Sequence, residues 1–255
     1  MTDTTGPQSG PDLRLTVSSL LRADFTVLTR TRQAILLNFL VPLVFIVATS
    51  LGQGNVLSDP GMLIGLAITY GLMSSGMLGY SIAVARDRDN GVFQRLRVTP
   101  TPTWAIMGSR IVVQVTVNLV MAIVVLIVGS ALHQVVFEWW QYLSILGVSL
   151  LGATVFLGLG QTIVGLLRSS AAISGIGRVL YILLLLSGIL GSTGLLGSGF
   201  KTFSEWTPVG ALVNLYAAAL GGGFTTDTLI GLCASIGYAL IFAVIGIRWF
   251  RWESH

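Results

Sequence analysis

The sequence predicts an all-α integral membrane fold of six transmembrane helices preceded by an interfacial helix, and three observations point to it. Hydrophobic residues make up 53% of the 255 and charged residues only 9%, with a mean hydropathy of +0.85, which is more apolar surface than a water-soluble core can hide. The apolar residues gather in six long runs, and the cations sort almost entirely to one side of the connections between those runs. Nothing shows the alternation of a barrel strand, and helices satisfy their own backbone groups inside hydrocarbon.

Residues 1–11 are polar and rich in Thr, Gly and Pro, with no apolar stretch followed by a small-residue cleavage site, and read as a disordered cytoplasmic tail. Residues 12–33 mix Val17, Leu20, Leu21, Phe25 and Leu28, which share one helical face, with Arg14, Arg22, Asp24, Arg30 and Arg32. Too charged to cross hydrocarbon, this segment suits an amphipathic helix lying at the membrane surface. The transmembrane domain occupies 34–252, with spans at about 34–52, 61–84, 104–132, 142–166, 174–196 and 228–250. Each run supplies the ~20 residues that cross a ~30 Å core at ~1.5 Å per residue.

Orientation follows from the cations. Of the 14, all are arginine except Lys201, and only Lys201 falls on the side opposite the rest. That asymmetry places both termini in the cytoplasm. Trp104, Trp249 and Trp252 then mark the inner interface and Trp139, Trp140 and Trp206 the outer one. The fifth-to-sixth connection, 197–226, is interrupted by Gly197, Gly199, Lys201, Glu205, Pro208 and Gly221-Gly222-Gly223, so it does not cross as one helix. Val209 to Leu220 within it is nonetheless apolar and helix-compatible.

Several function classes lose support on composition. The net charge of +4 includes no long basic run, so nucleic acid is not an expected partner. Cys233 is the only cysteine, which excludes an internal disulfide or a multi-cysteine metal site. All ten acids lie in tails or loops, whereas ion-coupled carriers commonly keep an acid within a span. His133 sits at an outer helix end and His255 at the terminus, so no Ser–His dyad of an intramembrane hydrolase is visible.

The connection between spans two and three, Arg86 to Pro100, is too patterned for a passive loop. Asp89 or Asn90 can cap a helix start, Phe93, Leu96 and Arg97 fall at i, i+3 and i+4, and Pro100 stops continuation. Such a segment can fit a groove on a soluble partner, and a solvated positive-inside loop is the alternative on spacing alone.

Here the chain resembles the type-2 ABC export permeases, drug-resistance branch, through Asp87, Arg88, Asp89, Gly91, Val92, Phe93, Arg95, Leu96, Thr99 and Pro100. The resemblance extends to the ordering of the whole chain, including Leu186-Ser187-Gly188-Ile189 and Trp206-Thr207-Pro208, although Gln94 stands where the family often has an acid. It implies that Asp87 to Pro100 forms a cytoplasmic coupling helix, with Phe93 and Leu96 as anchors in an ATPase cleft and Asp87, Arg88, Asp89, Arg95 and Arg97 orienting the dock. It also implies short outer-leaflet helices between spans five and six, and a substrate path lined by spans one, two and five.

That path would include Asn38, Tyr181 and Ser187, beside Tyr70, Met73, Ser74 and Met77, whose polarizable or hydroxyl-bearing side chains share a face of span two. Arg110, Gln114 and Asn118 share a face of span three and suit hydrogen bonds to adjacent helices. No Gly-rich loop ending in Gly-Lys-Ser/Thr is present, so ATP and Mg are expected on a separate cytoplasmic ATPase dimer, with a second permease chain, same or related, completing the path. The function implied is export of a lipophilic or amphipathic compound across the cell membrane. Lipid-linked glycan export within the same family and ion-coupled secondary transport are the alternatives.

Overall fold

The computed structural model describes residues 13–30, 32–51, 59–92, 95 and 103–249. The tail at 1–11, Trp252 and most of the segment from Phe93 to Pro100 lie outside the described residues. Nine helices occupy the described chain. They are α1 (Leu13–Arg30), α2 (Arg32–Leu51), α3 (Pro60–Asp89), α4 (Thr103–Leu132), α5 (Trp139–Leu166), α6 (Ser170–Thr193), α7 (Ser198–Trp206), α8 (Pro208–Gly222) and α9 (Thr226–Trp249).

Several ends are set by side chains that the sequence displays. Asp59 caps α3 by accepting from the Gly61 amide at 3.0 Å, with Pro60 at the first helical position, where its missing N–H is no loss. Glu138 and Gln141 form a reciprocal capping box at the start of α5. Ser169 caps α6, and Thr207, followed by Pro208, caps α8. The expected outer connection thus becomes two short helices, α7 and α8, with α8 ending at Gly221 and Gly223, both at positive φ.

Among the described residues, five helices are long and apolar enough to cross a membrane: α3, α4, α5, α6 and α9. The described apolar stretch of α2, Asn38–Leu51, is shorter, within a helix of 20 residues. The bundle is not a ring of equals. In α3, 83% of the apolar window is buried, against 28% in α6 and 17% in α9, so α3 is the axis on which the others assemble. It packs against α2, α4, α5, α6 and α8, while α9 closes over α5 and α8.

Lipid supplies no hydrophobic drive between helices, so close backbone approach has to hold them. At the tightest crossing of α3 and α5, a Cβ at Gly160 would stand 2.6 Å from the Gly76 carbonyl oxygen. At the end of α3 that starts with Pro60, labelled outer after the expected orientation with the Asp87 end as inner, a Cβ at Gly65 would stand 2.6 Å from Tyr216 Cβ, which lets α8 lie directly on α3. Core side chains such as Ile64, Ile68, Leu72, Met121, Phe156 and Leu212 fill the space between these contacts.

The middle of α3 departs from a regular helix. From Met73 to Gly79 it widens to a π pattern, in which the Tyr80 amide bonds the Ser75 carbonyl five residues back. Gln114 of α4 donates to the same region, to Ser75 Oγ at 2.6 Å and the Ser75 carbonyl at 3.4 Å. No sequence pattern announced this widening.

The crossing at Gly160 can be tested directly. Replacing Gly160 with Val should lower thermal stability by about 1–3 kcal/mol, because the obstructing atom is backbone and cannot swing aside. Gly147→Val, at a position where a Cβ meets nothing within 4 Å, should leave it unchanged. Fluorescence-detected size-exclusion after heating in detergent reads both.

Candidate functional site

The inner end of α3 is a joint. Asp87 and Arg88 are consecutive, so they point to different sides of the helix and reach different neighbours. Arg110 of α4 donates to Asp87 through an ion pair of 2.6 Å between half-buried groups. Arg88 is buried, and its guanidinium donates from Nη1 to the carbonyls of Val164 (3.4 Å) and Leu167 (3.2 Å) and from Nη2 to that of Arg168 (2.6 Å). Those carbonyls belong to the end of α5 and the turn to α6, where a helix leaves its last acceptors unpaired and a cation meets the negative end of the dipole. About two turns deeper along α3, Tyr80 donates to Gln161 of α5 at 2.8 Å. The adjacent Ser109 of α4 donates to Asp24 of α1 at 2.6 Å, which ties the N-terminal helix to the same end of the bundle.

The helix then stops abruptly. Asn90 closes α3, its amide bonded to the Arg86 carbonyl, and Gly91 follows at φ 68 with its amide on the Arg88 carbonyl. A left-handed residue at this place favours glycine, since a Cβ there costs about 1 kcal/mol. Beyond Gly91 a helical bond runs from the Arg95 amide to the Gly91 carbonyl at 3.2 Å, so the chain turns helical again directly after the break. The expectation that Asp89 or Asn90 opens the next helix is therefore modified, because α3 continues through Asp89 and Asn90 serves as its end cap. Asp89 and Arg95 are exposed. Phe93, Leu96, Arg97, Thr99 and Pro100 lie outside the described residues.

The residues expected along a path are placed unequally. Tyr70, Met73 and Met77 are fully buried within the single chain, on the face of α3 that meets its neighbours, and Ser74 is half-buried. Tyr70 donates to the Leu185 carbonyl of α6 at 3.1 Å and meets Phe45 edge-on at 5.3 Å. Asn38 lies against Gly79, where a Cβ would stand 3.3 Å from its Oδ1. Tyr181 is half-buried, and its hydroxyl has no hydrogen-bond partner among the described residues. Tyr70 thus reaches the stretch of α6 that holds Ser187, while Met73, Ser74 and Met77 belong to the π segment, against which Asn38 of α2 lies.

At that outer end the segments Leu186 to Ile189 and Trp206 to Pro208 interlock. Ser187 and Thr207 share a hydrogen bond at 3.3 Å, and Ser204 donates to the Ser187 carbonyl at 2.7 Å. A Cβ at Gly188 would stand 2.7 Å from both the Tyr70 hydroxyl and Val209. Tyr238 of α9 donates to the Trp206 carbonyl at 2.6 Å. Sequence reasoning singled out both segments but not their meeting, and it missed Ser204 and the buried Ser149–Tyr216 pair at 2.9 Å. The polar face of α4 divides similarly. Arg110 and Gln114 bond α3, whereas the fully buried Asn118 amide has no partner among the described residues.

Apolar helices of spanning length, a polar joint at one end and a folded-back pair of helices at the other define a multi-pass membrane protein. Residues 14–220 match the ABC-2 type transporter family. The match takes in most of the chain, and the chain belongs to that family, one of transporters rather than enzymes. It is also 30% identical over 122 residues to a protein of Bacillus subtilis (strain 168) named "Putative transport permease YvfS". That alignment covers 47% of this chain and 48% of the relative, so the chain spans about half the length of the curated relative it matches. The resemblance drawn from Asp87 to Pro100 is thereby confirmed at the level of the family.

Two experiments test the geometry. A double-mutant cycle over Asp87→Asn and Arg110→Gln should return a coupling of about 1 kcal/mol in thermal unfolding. Thr207→Val should cost about 1 kcal/mol, because the α8 cap and the Ser187 contact go together.

Proposed function

We propose that this chain is the permease subunit of an ABC exporter, embedded in the cell membrane through six spans with both termini cytoplasmic. In this reading it moves a lipophilic or amphipathic compound outward while a separate cytoplasmic ATPase dimer hydrolyses ATP with Mg. A second permease chain, identical or related, completes the path. The observation that carries the reading is family membership across 14–220 combined with the joint at Asp87 and Arg88, directly before the segment expected to dock.

α2 supplies the sixth span. Its 20 residues reach about 30 Å at the helical rise, which suffices for a hydrocarbon core. The docking segment starts at the Gly91 break and continues through Phe93 and Leu96, whose apolar side chains enter a cleft on the ATPase, with Asp89, Arg95 and Arg97 orienting the contact and Thr99 and Pro100 ending it. A path through Asn38, Tyr70, Met73, Ser74, Met77, Tyr181 and Ser187 requires α3 to part from its neighbours, since most of these side chains are enclosed. The buried hydroxyls and thioethers suit an amphipathic cargo that slides without tight binding.

Affinity capture of the full chain from its native membrane in mild detergent, with an ATPase assay on the eluate, tests the reading. A soluble nucleotide-binding subunit is expected to co-purify and to be lost on Phe93→Glu, while Phe93→Ala and Leu96→Ala leave the chain folded in membrane with hydrolysis uncoupled from transport. Recovery of the chain without any ATPase would refute the proposal.

A further inference from the structure

We infer that Arg88 is a positioning residue that carries displacement of the docking segment into the turn between α5 and α6, and through it into α6. The inference rests on the reading of the segment after Gly91 as the ATPase dock. Its observations are separate from that reading, because all of Arg88's hydrogen bonds among the described residues run to main-chain carbonyls of this chain.

Arg88 lies three residues before Gly91 in the last turn of α3. Its two terminal nitrogens span the carbonyls of Val164, Leu167 and Arg168, so one planar group holds both the end of α5 and the extended residue that leads away from it. Leu167 is extended, at φ −105 and ψ 137, and Ser169 already caps α6. The connection therefore has only Leu167, Arg168 and Ser169 between two long helices, and it has little slack in which to absorb a pull. A buried guanidinium that loses these acceptors is left unpaired where it now lies, which makes the contact costly to break and suited to transmitting force rather than yielding to it.

Asp87 repeats the device on the other side. Its ion pair with Arg110 holds α4, so rotation of the last turn of α3 moves α4 and the α5–α6 turn together. The destination matters because α6 carries Tyr181 and Ser187 and accepts the Tyr70 hydroxyl at Leu185. Movement of the α6 base is thus conveyed along a single helix to the place where α6 meets α8. Tyr80 and Gln161 brace α3 against α5 about two turns deeper, but among the described residues they form no hydrogen bond to the turn or to α6, so they do not replace Arg88.

The test uses the complex captured as above, reconstituted in nanodiscs, in a Cys233→Ser background that leaves single engineered cysteines to be labelled. Asn90→Cys reports the end of α3 beside the dock, and Ala171→Cys reports the exposed base of α6. Labelling rates with a polar maleimide are compared without nucleotide and after trapping with ATP and vanadate. With Arg88 present, both rates should change on trapping. With Arg88→Gln, the change at Asn90→Cys should persist while that at Ala171→Cys is lost, an outcome that general destabilisation does not produce.

If Arg88→Gln is not recovered folded, Arg88→Lys serves in its place. It keeps the charge but concentrates the donors at one point, and the Ala171→Cys change should be reduced. An undiminished Ala171→Cys change in either folded variant overturns the inference, as does an Ala171→Cys rate that trapping never alters. If trapping alters neither site in the Arg88 complex, the dock itself is misassigned, and the failure lies with the proposed function.

Discussion

A helix surrounded on all sides inside a membrane has no lipid to dissolve its side chains and no water to satisfy its polar groups, so every atom of α3 has to find its partner within the protein. This constraint organises the chain. Glycines where α3 meets α5 and α8 allow contact at backbone distance, and the polar groups that remain on α3 are claimed one by one: Tyr70 by Leu185, Ser75 by Gln114, Tyr80 by Gln161, Arg88 by the end of α5. Helices farther from the axis are less constrained, and α6 and α9 accordingly present rows of Ile, Leu and Val to the surroundings.

The polar contacts fall mainly at the two ends of the axis and at its middle. The inner joint joins α1, α3, α4 and the α5–α6 turn, and the outer interlock joins α6, α7, α8 and α9. Between them the π segment is the one stretch of α3 whose backbone pattern is irregular. An axis that is fixed at both ends and irregular in the middle has an evident place to change shape, and Asn38, Ser75, Gln114 and Gly160 all face that place.

Much of this was legible in the sequence because lipid imposes a coarse code. Five of the six long apolar runs coincide with helices of spanning length, and the glycine-broken connection after the fifth run became α7 and α8. The pattern from Asp87 onward indicated the family. What escaped was any contact whose acceptor is main chain. Arg88 looks like an outward charge in an Arg-rich segment, and only the fold reveals that its partners are the carbonyls of Val164, Leu167 and Arg168, which any residue at those positions would offer. The π widening escaped for a related reason, since it alters how the backbone is wound without requiring a particular residue. The Ser187–Thr207 contact joins positions 20 apart in sequence across a reversal of direction, and no periodicity records such a meeting.

The π segment also bears on how the length of this helix can change. A π turn accommodates one residue more than an α turn, and each residue of an α-helix advances the phase by about 100°. The outer half of α3 aims Tyr70 at α6, and the inner half aims Asp87 at α4 and Arg88 at α5. Without the extra residue, the two halves would be out of phase by roughly a quarter turn, and only one end could engage its partners. Insertions and deletions within this helix are therefore not neutral in the way they are in a loop, and descendants of this chain should conserve the residue count between Tyr70 and Asp87 more strictly than the identity of the residues in between.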